Sequence, residues 1–338
     1  MAIVFMGIDL AKNVFQLHGT DADGLLLLSK RLRRDQLLPE LAKQPPIMIG
    51  IEACTGAFFW QRQFEKLGHS VRIIAPQYVK PFVKYQKNDR NDAEAICTAM
   101  RQPNMKFVPT KNEEQQDIQA LHRARSRLVN HRTALISQMR GLLLDRGIAI
   151  GVSINRARRA IPEILADQDN DLTDMAREII AELYEFLAQI DLRVKAFDRR
   201  IEAVFRANAA CQRIARICGV GPKTATAVIA SVGDGREFKN GRHLAAWMGL
   251  VPRQHSSGSR QILMGISKRG DQHLRTLLVH GARAVVRVAV NRTDPMSRWI
   301  NALRERRGVN RTIVAVANKN ARIIWAMLRN DMEFQPAV

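Results

Sequence analysis

The chain has 338 residues, of which 46% are hydrophobic, enough for two or three domains with buried cores. Lysine and arginine outnumber aspartate and glutamate by 53 to 32, so the net charge is +21. This excess predicts a polyanionic partner. A membrane protein is not expected, because no basic amphipathic anchor or long apolar span accompanies the charge. The four cysteines form neither a CxxC pair nor a Cys/His cluster, which argues against structural zinc and disulfides and favours a cytoplasmic location.

Residues 1–110 have the pattern of an α/β domain. Short apolar or alternating runs separated by turn residues predict strands at 3–8, 14–18, 25–31, 47–51 and 71–75. Amphipathic runs predict helices at 35–43, 56–67, 77–86 and 90–101. Three antiparallel strands followed by alternating helices and strands is the element order of an RNase H-like fold.

Four acidic residues of this domain are candidate metal ligands. Asp9 and Glu52 come where the first and fourth predicted strands end, and Asp89 and Asp92 share one face near a helix start. A single acid in such a place is usually a cap or a surface group. Four acids that meet at one sheet edge would repel one another unless cations lay between them. Carboxylates suit Mg²⁺, and a pair of such ions supports phosphodiester chemistry.

Two long helices are predicted in the middle of the chain, at 112–146 and 175–205. The apolar stripe of the second helix fits either a hairpin with the first or an oligomerising coiled coil. The charge changes sign here: residues 121–160 carry a net +8, residues 161–205 a net −6, and residues 206–338 a net +16. An acidic segment between two basic ones suggests a spacer or assembly element.

The C-terminal third is predicted to be mainly helical, with two distinctive segments. A Gly-x-Gly turn between apolar helices at 217–226 is either a plain tight turn or a phosphate cradle, and Lys223 favours the cradle. Residues 252–270 form a serine- and glycine-rich basic stretch that reads as a loop, with these candidate phosphate contacts: Arg253, Arg260, Lys268 and Arg269. From residue types alone, a flexible loop is a better interpretation than a nucleophilic site.

Taken together, five motifs resemble the DEDD transposases of bacterial insertion sequences, the bridge-RNA-guided or seeker-RNA-guided recombinases. They are Gly-Ile-Asp at 7–9, Ile-Glu-Ala-Cys-Thr-Gly at 51–56, Lys-Asn-Asp-Arg-Asn-Asp-Ala at 87–93, Cys-Gly-Val-Gly-Pro-Lys-Thr at 218–224, and the block from Gly-Leu-Val-Pro at 249–252 to Ser-Lys-Arg-Gly at 267–270. They occur in one order and run from about residue 4 to about residue 330.

The resemblance implies three parts: a RuvC-like catalytic domain at 1–110, long coiled-coil helices for oligomerisation at 111–205, and a basic transposase domain at 206–338. It implies Mg²⁺, with Mn²⁺ as a substitute, on Asp9, Glu52, Asp89 and Asp92. The family's serine nucleophile corresponds to Ser257. Ser256 and Ser259 are alternative positions for it, because the motif can be aligned one or two residues away. The resemblance also implies donor and target double-stranded DNA, a structured guide RNA, and a homo-oligomer, either a dimer or a tetramer.

Three other functions are open at this point. A junction resolvase or RNase H-type nuclease would use metal-activated water and form no covalent intermediate. A non-catalytic nucleic-acid-binding protein would carry these acids as ordinary surface groups. An actin-like ATPase shares the early strand order, but the sequence has no later glycine-rich phosphate loop to favour it. The long basic C-terminal region favours the transposase.

Overall fold

The structure is a computed structural model that describes residues 2–84, 86, 88–258 and 260–335. The chain forms two compact units, Met1–Lys111 and Asn112–Val338. The three-part division expected from the resemblance stays a prediction. In the part of the chain that the structure describes, no helix is long and apolar enough to cross a membrane.

The first unit is a mixed sheet covered by helices. Its strands are β1 Phe5–Leu10, β2 Val14–Thr20, β3 Leu26–Arg33, β4 Met48–Glu52 and β5 Ser70–Ile74. Its helices are α1 Arg34–Leu41, α2 Ala57–Lys66, α3 Pro76–Val79 and α4 Asp89–Met100. The helix expected at 77–86 is shorter: α3 ends after four residues, and the 3₁₀ turn Lys80–Phe82 follows. Pro81 accounts for this, because proline has no N–H to continue the α-helical hydrogen bonding.

The order of the strands in the sheet is β3-β2-β1-β4-β5. β1 pairs antiparallel with β2 and parallel with β4, and β4 pairs parallel with β5. In the parallel β1–β4 register, Gly7 lies opposite Gly50 and Ile8 opposite Ile51. The carboxyl ends of β1 and β4 therefore lie side by side at one edge of the sheet.

Helix α4 packs on β1 so closely that only glycine fits at position 7. A Cβ atom on Gly7 would lie 2.2 Å from the Ala93 carbonyl oxygen and 2.5 Å from the Cys97 nitrogen. At the other end of α4, the Arg101 guanidinium lies 5.1 Å from the centre of the Phe5 ring. Since Phe5 begins β1, α4 runs antiparallel to β1, and its first turn lies beyond Gly7, toward the carboxyl end of the strand.

The second unit is built from nine helices in its described part and one two-stranded hairpin. The helices are α5 Glu113–Leu144, α6 Ile154–Ala166, α7 Asp174–Ala207, α8 Ala209–Ile214, α9 Pro222–Val232, α10 Gly241–Trp247, α11 Gln272–Ala289, α12 Pro295–Arg307 and α13 Val309–Asn330. The hairpin strands are β6 Pro252–Ser257 and β7 Arg260–Ile266. The long helices α5 and α7 begin directly after Asn112 and Thr173. The side chain of each of these residues accepts a hydrogen bond from a free backbone N–H of the first helical turn.

The long helices α5 and α7 pack together, with α6 beside them. Asp191 on α7 accepts hydrogen bonds from Arg158 Nε on α6 at 2.9 Å and from Arg132 Nη1 on α5 at 3.3 Å. The Asp191 side chain is only 19% exposed. One carboxylate therefore joins three helices. This packing matches the intramolecular alternative for the apolar stripe and leaves oligomerisation as a prediction.

The segment expected to be a serine loop is in fact mostly a β-hairpin. Ser257 pairs with Arg260, and Gln254 with Leu263, in an antiparallel ladder. Gly258 has a φ of +54°, which the reversal of the chain requires and which glycine adopts without strain. The β-forming run Ile262-Leu263-Met264 supplies the second strand. Only residues after Ile266 remain loop-like, up to α11.

Candidate active site

Asp9 and Glu52 lie at the adjacent carboxyl ends of β1 and β4. Each directly follows the paired residues Ile8 and Ile51, whose side chains are fully buried in the sheet core. Both acids are half-buried. Desolvation raises the pKa of the nearby Cys54 thiol, and the charges of Glu52 and then Asp9 raise it further. Because Ile8 lies opposite Ile51, Asp9 and Glu52 lie side by side at this edge, and the charge of each acts on Cys54.

Asp89 and Asp92 lie in the first turn of α4, which the Asn88 side chain caps by accepting from the Asn91 N–H at 2.8 Å. Asp89 is exposed and Asp92 is half-buried. The packing of α4 on Gly7 directs this turn toward the edge where Asp9 and Glu52 lie. The positive end of the helix dipole favours negative charge there.

The chemistry of these donors fits a hard divalent cation. Carboxylate oxygens are the ligands that Mg²⁺ prefers. Within the described residues, however, no three Asp, Glu, His or Cys side chains are close enough together to hold one metal ion. The structure thus brings two of the four acids together and places the other two on a helix turn at the same edge.

Ser257 is the last residue of β6, at the tip of the hairpin in the second unit. Both it and Ser256 are exposed, and Ser259 lies outside the described residues. Arg260 faces Ser257 across the ladder, so a cationic side chain accompanies the hydroxyl at the tip. Arg253 is on the same strand as Ser257 and is also exposed.

Lys268 and Arg269 follow β7 and are exposed. Lys268 has a φ of +55°, a conformation that non-glycine residues adopt rarely. The carbonyl oxygens of Arg269 and Met248 both accept from Arg275 Nη1 at 3.0 Å, which ties this turn to α11 and α10. A held backbone with outward-facing cations is suited to contacting phosphate.

Lys223 is placed differently from the expectation of a free phosphate contact. Its Nζ lies 2.9 Å from Asp198 on α7, which also accepts from Arg125 Nε at 2.6 Å. The turn before Lys223 packs against α11, since a Cβ on Gly219 would lie 2.8 Å from the Gly281 carbonyl oxygen. Close helix packing explains the Gly219 of this motif, and DNA contact by Lys223 stays a prediction.

Patterns in the sequence did not predict a group of cationic side chains that lines a groove beside the hairpin. Arg242 on α10 and Arg311, Lys319 and Arg322 on α13 line it. Three of these cations lie at helical spacing on one face of α13: Arg311, Lys319 and Arg322. This spacing alone could have predicted a basic helix face. Their meeting with Arg242 and the hairpin depends on tertiary packing and had no signal in the sequence.

Comparison with known proteins gives concordant matches along the chain. The family profile described as "Transposase IS116/IS110/IS902 family" matches residues 211–296, and a DEDD profile described as "Transposase" matches residues 6–146. The "Probable family 20 transposase" of Pseudomonas aeruginosa is 47% identical over 98% of both chains. The "Transposase for insertion sequence element IS1111A" of Coxiella burnetii is 48% identical over 98% of this chain and 92% of its own. The "Transposase for insertion sequence element IS1328" of Yersinia enterocolitica is 38% identical over 98% of both chains.

Proposed function

Because this chain belongs to the IS116/IS110/IS902 family of insertion-sequence transposases, and so is a DNA transposase, we propose that it cuts and rejoins DNA with an acidic metal site and a serine. The observation that carries the proposal is the convergence of Asp9 and Glu52 at adjacent strand ends, beside the acidic first turn of α4. In the proposal, the first unit is an RNase H-like, RuvC-like catalytic domain. The strand order β3-β2-β1-β4-β5, with β2 antiparallel to its neighbours, supports this assignment.

Asp9, Glu52, Asp89 and Asp92 would hold Mg²⁺, or Mn²⁺ as a substitute. A bound divalent ion there supplies positive charge to the phosphodiester. The carboxylates would fix where the ion lies, since Asp9 and Glu52 follow adjacent strands and the first turn of α4 is at the same sheet edge.

Ser257 would act as the nucleophile. Its Oγ forms a bond to phosphorus, the bond to the 3′ oxygen breaks, and that oxygen leaves as a 3′-hydroxyl with a proton. The product is a serine–5′-phosphate diester. Attack by the 3′-hydroxyl of another strand reverses the exchange and releases the serine, so no ATP is needed. Arg260 beside Ser257, together with Lys268 and Arg269, would stabilise charge on the phosphate.

The proposal also includes donor and target double-stranded DNA, a structured guide RNA, a homo-oligomer and a cytoplasmic location. The net charge of +21 supports binding to nucleic acid in general. The guide RNA and the oligomer rest on the family resemblance. In such a system, base pairing reads the sequence while the protein holds the backbone.

The test is strand cleavage of supercoiled donor plasmid that carries the element with its flanking DNA. Purified protein and Mg²⁺ are added, the products are denatured, and DNA with covalently attached protein is measured. We expect an adduct with the wild type that Ser257→Ala and Asp9→Asn each abolish. Ser256→Ala is the matched control and should keep the adduct.

The same assay separates the main alternative. Nicking without an adduct, lost in Asp9→Asn but kept in Ser257→Ala, would identify a metal nuclease that uses water. Unchanged cleavage in Asp9→Asn would contradict the acidic site itself.

A further inference from the structure

A large groove lies between the β6–β7 hairpin and helix α13, with a volume of about 1480 Å³. We call it the hairpin groove. Its cationic wall consists of Arg242, Arg311, Lys319 and Arg322, and its apolar wall includes Leu263 and Met264 of β7. Leu263 is 68% exposed and Met264 49% exposed, so this apolar wall is open to solvent.

The charge of the groove is of one sign. Among its described lining residues there is no Asp or Glu. None of its four cations forms an ion pair with a carboxylate in the part of the chain that the structure describes. Lys319 is instead held over the Trp299 ring, with Nζ 4.4 Å from the ring centre. Like charges facing one groove repel each other until an anion fills it, so the groove is complementary to a polyanion.

The spacing of the cations suits a polynucleotide backbone. Arg311, Lys319 and Arg322 lie along one face of α13 and span eleven residues, or about 16 Å at the helical rise. Gly241 lets α10 approach, because its Cα faces the backbone of Arg322, where a Cβ would lie 2.9 Å from the Arg322 Cα. Arg242, the next residue, therefore lies near Arg322 and lines the same groove. A row of this length spans several phosphates of one strand.

The two unlike walls favour a single DNA strand. Phosphates can face α13 while sugars and bases contact Leu263, Met264 and the Trp299 ring, as in single-strand sites that combine a basic groove with aromatic side chains. A ribose 2′-hydroxyl against the apolar wall would lose water without gaining a partner, which favours deoxyribose.

We infer that the hairpin groove binds a single strand of DNA and leads it along β7 to the hairpin tip. Leu263 pairs with Gln254, three residues from Ser257, so a strand in the groove passes close to the tip. This inference rests on the proposed function for its purpose, which is to present a strand to Ser257. The binding site itself does not require that Ser257 be the nucleophile.

The test is binding of a fluorescein-labelled single-stranded DNA 20-mer to the full-length protein, followed by anisotropy across a salt series. Arg311→Ser/Lys319→Ser/Arg322→Ser should weaken binding at least tenfold and lower the slope of log K against log salt by about 2 units. The matched control, Arg193→Ser/Lys195→Ser/Arg199→Ser, removes the same charge from exposed positions on α7 and should change affinity less than twofold. If the triple variant does not fold, the double variant Arg311→Ser/Arg322→Ser is used in its place, since it keeps Lys319 on Trp299. It should weaken binding about fivefold.

Equal loss in the control, or no loss in both groove variants, would overturn the inference. So would an equal or larger effect of the groove variants on binding of the same 20-mer as RNA or as a duplex. Ser257→Ala should bind the single strand like the wild type. If Ser257→Ala binds the single strand normally and the wild type forms no covalent adduct with DNA, the serine proposal fails and the groove inference stands.

Discussion

Residue-level chemistry in this protein includes a histidine kept neutral by its surroundings. His122 on α5 is 4% exposed, and its Nε2 lies 2.9 Å from Thr226 Oγ1. The Thr226 hydroxyl donates to the Pro222 carbonyl oxygen at 2.8 Å, so Nε2–H is the donor to Thr226. Burial, and then the charges of His273, Arg125 and Lys223, lower the pKa of His122 to about 4.

The stability of the protein should therefore fall in mild acid. The unfolded chain protonates His122 near its ordinary pKa of 6.5, before the folded chain does, so the free energy of unfolding falls as the pH drops from 6.5 toward 4. The contribution of His122 should be about 2 kcal/mol smaller at pH 5 than at pH 7.5. His122→Gln keeps a donor and does not titrate. Urea unfolding at both pH values should show a smaller drop for this variant, and equal drops would contradict the assignment.

Single residues also set the limit of what the sequence could predict about the site. Asp9 and Glu52 follow apolar runs directly, so their place at strand ends could be inferred from the pattern alone. The ion pair of Lys223 with Asp198, 25 residues earlier on another helix, could not. Pairings of this kind depend on packing between elements, which local periodicity does not encode.

At the scale of elements, most of the first unit follows from periodicity, because one-sided burial leaves a regular apolar pattern. β2 begins at the predicted residue, and β4 ends one residue beyond the predicted end. The β6–β7 hairpin was missed because β6 is exposed on both faces and carries no alternation. Helix α6 was missed although apolar residues recur along it at helical spacing: Ile154, Ala157, Ile161, Ile164 and Leu165.

The different surroundings of two glycines, Gly7 in β1 and Gly141 in α5, predict opposite effects of substitution by alanine. Gly7→Ala places a methyl group against backbone atoms that cannot move aside, and should destabilise the protein by about 1–3 kcal/mol and reduce strand cleavage. Gly141→Ala, in α5 with open space around its Cα, should stabilise it by up to about 1 kcal/mol. Urea unfolding measures both; a Gly7→Ala protein as stable as the wild type would contradict the packing.

The carboxylate that joins α5, α6 and α7 gives a second prediction. Asp191→Ala leaves Arg132 and Arg158, 21% and 33% exposed, without their shared partner, and should cost about 3 kcal/mol. Glu202→Ala on the same helix breaks an exposed pair with Arg206 and should cost less than about 1 kcal/mol. Equal urea midpoints for the two variants would show that the Asp191 contacts contribute no more than a surface pair.

On the scale of the whole molecule, the excess of positive charge favours binding to DNA. Residues 206–338 carry a net +16, and the hairpin groove belongs to this segment. Composition alone predicted a polyanionic partner. It could not locate the groove, because Arg242 and the α13 cations are about 70 residues apart in sequence.

Binding to duplex DNA of unrelated sequence should depend steeply on salt. With six to ten phosphate contacts, the association constant should fall by about 10³ to 10⁵ between 50 and 200 mM salt. Anisotropy titration across this range gives the slope directly. A slope that corresponds to fewer than about three contacts would mean that the charge serves some purpose other than holding the backbone.

The exposure of the hairpin has a consequence for how often the protein would cut DNA at unintended sites. Two strands alone are marginally stable in water, and the whole of β6 is exposed. A strand of DNA in the hairpin groove would cover apolar residues of β7 and stabilise the hairpin. The hydroxyl at its tip would then be held rigidly only after substrate has been loaded. If Ser257 is the nucleophile, an enzyme built this way would make few stray breaks while it searches, because its reactive group would be aligned by the molecule that it cuts.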